Sequence, residues 1–320
     1  MPSPPPDPPA PLDEDAWIET ILQRFPQTGS GILGPGDDAA LLPLPADEVA
    51  VLTVDTLVDG THFRPGWITD RELGWRSLAV SLSDLAAMGA TPRGAVLAIE
   101  TPDLPGRLGE AFFAGVEEIL GRFDTPLLGG NVTRTDGPLA VSSTLVGSVR
   151  PGHELRRDGA RPGDDLWVSG VPGRAAEARR RRAAGGPHPE PCPWAQPLPR
   201  VALGRLLRSA GVHAAIDLSD GLARDLHRLL EASGVGAEIE LTVLGDDAPT
   251  LEDILEGGED YELLFTAGAE SREAIADAST RTGGVVHRIG EIVETAGFRL
   301  RQGDERLPYS PRGWDPFRGS

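Results

Sequence analysis

The stretch AIDLSDGLARDLHRLL, residues 215–230, places two carboxylates and a hydroxyl where a predicted strand ends and a predicted helix begins. Asp217, Ser219 and Asp220 lie between the apolar lead and the leucines that follow with helical spacing. Charge at such a position is costly to bury without a partner, and it suits the presentation of oxygen ligands to Mg²⁺. The alternative is that Ser219 or Asp220 only caps the helix. The metal hypothesis therefore depends on similar chemistry elsewhere in the chain.

Other aspartates occur in comparable settings in the first half of the sequence. Asp37 and Asp38 follow the glycine-rich segment TGSGILGPG, which is interpreted either as a mobile loop over a ligand or as an ordinary turn. Asp55 lies near the end of residues 48–63, whose alternation of apolar and polar side chains predicts a strand. Two strands and a short connection would bring these three aspartates close together around one hairpin.

Asp84 lies inside a largely apolar segment, residues 71–88, that predicts a helix. A carboxylate there faces either a solvated edge or a cation, and small neighbours such as Ser83 and Gly89 favour the cation because they permit close approach. The chain has no HExxH, no set of cysteines and no GxSxG. Ligation by carboxylates alone predicts Mg²⁺ or Mn²⁺, which usually accompany phosphate groups. We therefore expect phosphoryl transfer, with metal-dependent hydrolysis as the alternative.

Composition excludes several classes of function. The chain has 49 acidic and 30 basic residues, a formal charge of −19, so broad binding to nucleic acid is unfavourable. Every basic residue is an arginine, which excludes a GxxxxGK[ST] loop and a Schiff-base lysine. The single cysteine, Cys192, excludes a disulfide within the chain. We find neither a signal-peptide pattern nor an apolar run of about 18 residues, and we therefore expect a cytoplasmic protein with no membrane span.

The order of predicted elements divides the chain into two halves. Residues 1–12 are proline-rich and are expected to be disordered or extended, and residues 13–150 mix strands and helices in the manner of an α+β domain. A polar connector with several arginines marks the start of a second domain over residues 151–320. Within it, residues 175–199 are expected to be irregular. The RRRR run at residues 179–182 is interpreted as a solvated helix end in preference to a phosphate site.

Six motifs occur in a fixed order along the chain. They are GPGDDAALL (34–42), TVDTLVDGTHF (53–63), SLSDLAAMGA (81–90), LLGGN (127–131), AIDLSDGL (215–222) and GGEDYELLF (257–265). Together they resemble the thiamine-monophosphate kinase family, within the aminoimidazole-ribonucleotide-synthetase-like ATP-binding superfamily. The resemblance runs from about residue 31 to residue 314.

The resemblance implies a fold, a reaction and partners. The implied fold has an N-terminal α+β domain and a C-terminal α/β domain, with two N-terminal domains pairing in a homodimer and ATP bound in a nearby cleft. The implied reaction converts ATP and thiamine monophosphate into ADP and thiamine diphosphate with several Mg²⁺ ions. Because the attacking group would be the substrate's own phosphate, no catalytic side chain is implied.

The resemblance also implies roles for individual residues. The implied magnesium ligands are Asp38, Thr53, Asp55, Asp84, Asn131, Asp217 and Asp220. The implied ATP contacts are Gly130, Asn131, Arg157 and Ser219. The implied substrate contacts are His62, Glu259 and Trp314. A structural role is the alternative for several of these, since His62 could be a turn residue, Trp314 a packing residue and Arg157 plain surface charge.

Two positions depart from the family pattern. Asn131 stands where the family commonly has Asp, which removes a charge from one implied metal contact, and Val54 stands where a hydroxyl residue is frequent. We expect activity to survive both changes. The first alternative is a sister enzyme: selenophosphate synthetase, hydrogenase-maturation dehydratase or purine-pathway cyclo-ligase. Residues 1–40 lack the reactive cysteine typical of the selenium enzymes. The second is a non-catalytic nucleotide-binding sensor, which only Asn131 favours.

Overall fold

The computed structural model describes residues 14–25, 31–186, 190–302 and 305–308, which form two sheets with packed helices. The first sheet has the strand order β1-β4-β2-β3. Its strands are β1 (Val49–Val58), β2 (Thr91–Thr101), β3 (Leu127–Arg134) and β4 (Ala140–Val149). β4 pairs antiparallel with β1 and β2, whereas β2 and β3 run parallel. This arrangement agrees with the α+β fold expected for the first half.

The second sheet has seven strands in the order β11-β10-β7-β9-β5-β8-β6. They are β5 (Asp165–Ser169), β6 (Val212–Asp217), β7 (Gly236–Ile239), β8 (Leu263–Ala267), β9 (Val286–Val293), β10 (Gly297–Gln302) and β11 (Glu305–Pro308). β7 and β10 pair in parallel, and the other neighbouring strands described in this sheet pair antiparallel. The chain therefore has the two-part fold of helices and mixed sheets that was expected.

Eight α-helices occur in the described part of the chain. They are α1 (Glu14–Arg24), α2 (Asp70–Ala87), α3 (Glu110–Arg122), α4 (Arg174–Ala183), α5 (Val201–Leu207), α6 (Leu222–Ser233), α7 (Leu251–Glu256) and α8 (Arg272–Thr282). None of these described helices is long and apolar enough to cross a bilayer. The expectation of irregular structure after residue 175 is wrong over α4. That helix buries only alanines, Ala175, Ala176 and Ala178, so its sequence lacks the apolar stripe that predicts a helix.

Helix α2 connects the two halves of the molecule. It begins at a capping box made by Thr69 and Glu72, and almost all of its side chains are buried. It packs against α3, β1 and β4 of the first half of the chain and against α5 and β6 of the second. The α2–α3 crossing is close, since a Cβ atom at Gly74 would lie 1.9 Å from the backbone oxygen of Phe112. Helix α2 thus holds a fixed position between the sheets.

Candidate active site

Ser83 and Asp84, near the C-terminal end of α2, bond to side chains of β6 and β1 respectively. Thr53 and Asp55 alternate along β1 on the same face of the strand, and the Thr53 hydroxyl donates a short hydrogen bond to an Asp84 carboxylate oxygen. The Ser83 hydroxyl donates to Asp217 Oδ2 at 2.7 Å. Because residues from the two sheets meet on one helix, carboxylates far apart in sequence lie close together.

Burial and mutual repulsion raise the pKa values of three carboxylates in this cluster. Burial, followed by the negative charge of Asp84, raises the pKa of Asp55 to about 7. Burial also raises the pKa of Asp84, against a lowering contribution from the charge of Arg157. The pKa of Asp217 lies well above its ordinary value because the group is buried and faces Asp84. A bound cation would relieve this repulsion.

The backbone between β6 and α6 is held by Asp225, which lies in none of the six sequence motifs. Asp225, fully buried, accepts hydrogen bonds from the backbone N–H groups of Ser219 at 3.0 Å and Asp220 at 2.9 Å. Asp220 itself pairs with Arg228 at 2.6 Å. The N-cap residue of α6 is Gly221, so capping by Ser219 or Asp220 is the wrong interpretation. The sequence does contain an indication of this role, because the helical spacing of the leucines places Asp225 on the apolar face of α6.

A cavity of about 290 Å³, here called the central cavity, lies against this cluster. Its lining combines residues of both halves of the chain. Among them are Asp55, His62, Arg179, Ser219, Asp220 and Glu259. Residues implied as magnesium ligands, ATP contacts and substrate contacts therefore share one cavity.

His62 lies in the turn after β1. Its Nδ1 accepts a hydrogen bond from the backbone N–H of Val58 at 3.0 Å, which fixes the ring against the strand end. Burial lowers the pKa of His62, against a raising contribution from Glu259. We conclude that the imidazole lines the central cavity in its neutral form at pH 7.

Glu259 lines the same cavity and is held by three donors. Its carboxylate accepts from the indole N–H of Trp194 at 2.8 Å, from Arg179 at 3.1 Å and from Arg76 through a short hydrogen bond. Arg76 is fully buried and also stacks on the Trp194 ring, 5.0 Å from its centroid. The charge of Glu259 is thereby balanced and its position is fixed.

The other two carboxylates of the GGEDYELLF motif have structural roles. Asp260 accepts from the backbone N–H groups of Gly173 at 2.7 Å and Ala175 at 2.9 Å, at the start of α4. Burial raises the pKa of Asp260 to about 7 despite these bonds. Glu262 pairs with Arg200 near the start of α5. Among the three, Glu259 alone lines the central cavity.

A second cavity of about 440 Å³, here called the β3 cavity, lies between α1 and the β2–β3 edge of the first sheet. Asp37, Asp38, Gly130 and Asn131 line it together with mainly apolar side chains. Asn131 is exposed and its amide donates to the Thr133 hydroxyl at 2.9 Å. The structure thus places Asp37 and Asp38 in a different cavity from Asp55, in contrast to the single hairpin cluster that we expected.

Comparisons with known proteins place this geometry in a family. The chain is 36% identical over 301 residues to a thiamine-monophosphate kinase of Salmonella typhimurium, covering 89% of this chain and 91% of that protein. The chain belongs to the thiamine-monophosphate kinase family. Residues 36–149 match the model of the AIR synthase related protein, N-terminal domain, and residues 161–302 match its C-terminal domain.

Solved structures of this kinase family share the fold. A thiamine-monophosphate kinase from Stenotrophomonas maltophilia K279a superposes with a TM-score of 0.77 at 39% identity, covering 89% of this chain and 94% of that one. AaThiL complexed with AMPPCP and TMP superposes with a TM-score of 0.73 at 27% identity, covering 94% and 96%. The two-part fold is therefore that of the thiamine-monophosphate kinases.

The oxygen donors of this family member are spread over the central cluster and the β3 cavity. Among the residues that the structure describes, no three Asp, Glu, His or Cys side chains stand together as ligands of one ion. Mg²⁺ is commonly bound by one or two carboxylates together with waters and substrate phosphates. The carboxylate oxygens of the central cluster, where the pKa values of Asp55, Asp84 and Asp217 are raised, fit that kind of binding.

Two of the four arginines at residues 179–182 pair with carboxylates in the interior of the molecule. The side chain of Arg182 is only 11% exposed and pairs with Glu72, and Arg179 pairs with Glu259 in the central cavity. A solvated helix end is therefore the wrong interpretation for these two arginines. Trp314, the implied aromatic substrate contact of the kinase family, lies outside the described residues.

Proposed function

We propose that this protein transfers the γ-phosphoryl group of ATP to thiamine monophosphate, giving ADP and thiamine diphosphate. The observation that carries the proposal is the central cavity, where Asp55, Asp220, Ser219, His62 and Glu259 meet. The complex of AaThiL with AMPPCP and TMP supports ATP and thiamine monophosphate as the two substrates.

Mg²⁺ is the proposed metal. Asp55, Asp84, Asp217 and Asp220, with the Thr53 hydroxyl, would hold ions at the central cavity, and Asp38 with Asn131 would hold one at the β3 cavity. Bound Mg²⁺ would neutralise charge on the phosphates, which phosphoryl transfer requires.

The chain's own residues contribute positioning in this mechanism. The Ser83 hydroxyl orients the Asp217 carboxylate, and Asp225 holds the Ser219–Asp220 backbone against β6. The acceptor phosphate is already an anion, so the protein supplies no general base and no nucleophile.

The two substrates would contact different sets of residues. Gly130, Asn131, Arg157 and Ser219 would contact ATP, and the charge of Arg157 already acts on Asp84. His62 and Glu259 would contact thiamine monophosphate, with Trp314 as the aromatic contact. Glu259 offers a fixed carboxylate to the cationic or amino-bearing part of that substrate.

A homodimer through the first sheet is also proposed. β1 is an edge strand of that sheet, and it exposes Leu52 by 69% and Val54 by 65%. A long apolar edge of this kind favours pairing with a second copy of the chain. Val54 lies on the opposite face of β1 from Asp55, so a hydroxyl at that position would not face the central cavity.

The test is an ADP-release assay with thiamine monophosphate, with separate detection of thiamine diphosphate. We expect ADP and thiamine diphosphate to form in equal amounts, only with Mg²⁺ present. Nucleotide binding without turnover would favour the sensor and would contradict the proposal.

Size-exclusion chromatography with light scattering tests the proposed homodimer. The Leu52→Asp substitution places a charge on the exposed apolar face of β1, and it is expected to give monomers.

A further inference from the structure

The four arginines at residues 179–182 do not serve the same purpose. Three of them pair with carboxylates of α2, α7 or α4 itself. The pairs are Arg180 with Asp253, Arg181 with Glu177 at 2.6 Å and Arg182 with Glu72 at 2.6 Å. These contacts fasten α4 to α7 and α2, or lie within α4 itself, and none of the three arginines lines the central cavity.

Arg179 differs from its neighbours because it lines the central cavity. Among the described residues its polar partner is Glu259, at 3.1 Å, and its side chain remains 35% exposed. Glu259 is already neutralised by the buried Arg76 and bound by the indole of Trp194. Glu259 is therefore balanced without the Arg179 guanidinium, and among the residues that the structure describes most of the five Arg179 donors have no protein partner.

The charges in the cavity indicate what those donors bind. Asp55, Asp220 and Glu259 are acidic, His62 is neutral, and Arg179 is the cationic side chain among the described lining residues. Thiamine monophosphate carries a thiazolium cation, which these carboxylates attract, and a phosphate, which they repel. A guanidinium fork matches the geometry of a phosphate and can donate two parallel hydrogen bonds.

We infer that Arg179 binds the phosphate of thiamine monophosphate and so makes the site select the phosphorylated substrate over thiamine. This inference rests on the proposed function. Arg179 is a specificity residue for the acceptor. Arg179 is not expected to contact ATP, whose implied contacts are Gly130, Asn131, Arg157 and Ser219.

The test compares Arg179→Gln with the wild-type protein in calorimetric titrations of thiamine monophosphate and of thiamine, both with Mg²⁺ and AMPPCP present. We expect binding of thiamine monophosphate to weaken by about 10-fold or more, because a charge-assisted hydrogen bond is lost. Thiamine affinity in these titrations, and the KM for ATP in a separate ADP-release assay, should stay within about 2-fold, which is small beside that effect. Arg179→Lys, which keeps the charge but not the fork, should recover part of the loss.

Arg181→Gln is the matched control, because Arg181 belongs to the same run, is 56% exposed and, among the described residues, forms its ion pair with Glu177 inside α4. It should bind both ligands like the wild type. Unchanged binding of thiamine monophosphate by Arg179→Gln would overturn the inference, and so would an equal loss for both ligands, since that would show an effect through Glu259. If Arg179→Gln fails to fold, Arg179→Lys decides the question. The inference is overturned if this variant binds thiamine monophosphate as tightly as the wild type and prefers it over thiamine by the same factor. Wild-type protein that binds AMPPCP but never phosphorylates thiamine monophosphate would instead remove the proposed function.

Discussion

The central cavity and the β3 cavity hold their oxygen donors in different physical states. In the central cluster, Asp55 has a pKa raised to about 7 and Asp217 is almost wholly buried, so the fold keeps like charges together at an energetic cost. In the β3 cavity, Asp37 and Asp38 are exposed and Asn131 carries no charge. The difference indicates that the fold itself brings the oxygen donors of the central cluster together, whereas it leaves those of the β3 cavity exposed to solvent. We therefore expect substitutions to have much larger effects in the central cluster.

Asp84→Asn is expected to have the largest effect on activity. The substitution keeps an acceptor for the Thr53 hydroxyl but removes a charge that a cation would need, so turnover should fall by about 100-fold or more. The melting temperature without Mg²⁺ should hold or rise, since one of several repelling charges is gone. An ADP-release assay at saturating Mg²⁺ and thermal melts measure the two quantities.

Asp220→Asn should also lower turnover without lowering the melting temperature in the absence of Mg²⁺. Asp277→Asn serves as the control. Asp277 is 62% exposed and pairs with Arg281 on the surface of α8, so its substitution should change neither quantity. If Asp84→Asn and Asp220→Asn simply unfolded the protein, or if both kept wild-type turnover, the ligand assignment would lose its support.

Asp225→Ala should have the largest effect on stability. The buried carboxylate accepts from two backbone N–H groups and from Arg228, and its loss leaves these donors without their partner. We expect the free energy of unfolding to fall by about 2 to 4 kcal/mol, measured by urea denaturation. Asp225→Asn should lose less, because it keeps one acceptor oxygen. Equal stability of Asp225→Ala and wild type would show that the Ser219–Asp220 backbone is held by other contacts.

The elements of the site were largely predictable from local sequence, because β1, β2, β4 and α2 have long and regular apolar patterns. Helix α4 was not predictable in this way, since alanine and arginine give no apolar stripe, and the six residues of α7 are too few to show a period. Length and regularity of pattern therefore decided which elements the sequence revealed.

The meeting of side chains was only partly predictable. The link from Ser83 to Asp217 spans 134 positions and depends on how α2 lies between the sheets, which no local pattern contains. The motifs predicted a common role as magnesium ligands for Asp55, Asp84, Asp217 and Asp220. They did not predict that Asp38 lines a different cavity from Asp55. Asp225 and Arg179 were missed as site residues because their roles depend on contacts made after folding.

Asp260 should make stability depend on pH. The Asp260 carboxylate is half-buried against the start of α4, near Glu259 and Glu262, and its pKa in the folded protein is about 7, above its ordinary value of 3.8. The folded state then holds a proton that the unfolded chain has released, so the stabilising contribution of this group is greatest below about pH 4 and declines as the pH rises toward 7. The loss from this group should be roughly 2 kcal/mol between pH 5 and pH 6.5.

Urea denaturation of the wild type and Asp260→Asn at several pH values, with chelator present, measures this contribution. The variant cannot titrate at position 260, so its stability should change less over that range. Equal pH dependence of the two proteins would mean that Asp260 is already ionised in the fold, held by the N–H groups of Gly173 and Ala175.

Asn131→Asp should give the smallest effect and tests the β3 cavity directly. The substitution adds a carboxylate to an exposed position near Asp37 and Asp38, where water and salt screen its charge. We expect the Mg²⁺ concentration for half-maximal activity to fall by about 3- to 10-fold, equivalent to roughly 1 kcal/mol, with turnover at saturating Mg²⁺ nearly unchanged. Thr133→Asp, which adds the same charge two residues along β3, is the control for general electrostatics. A large rise in turnover at saturating Mg²⁺ would mean that the amide at position 131 limits the chemistry, and the proposed contrast between the two cavities would be wrong.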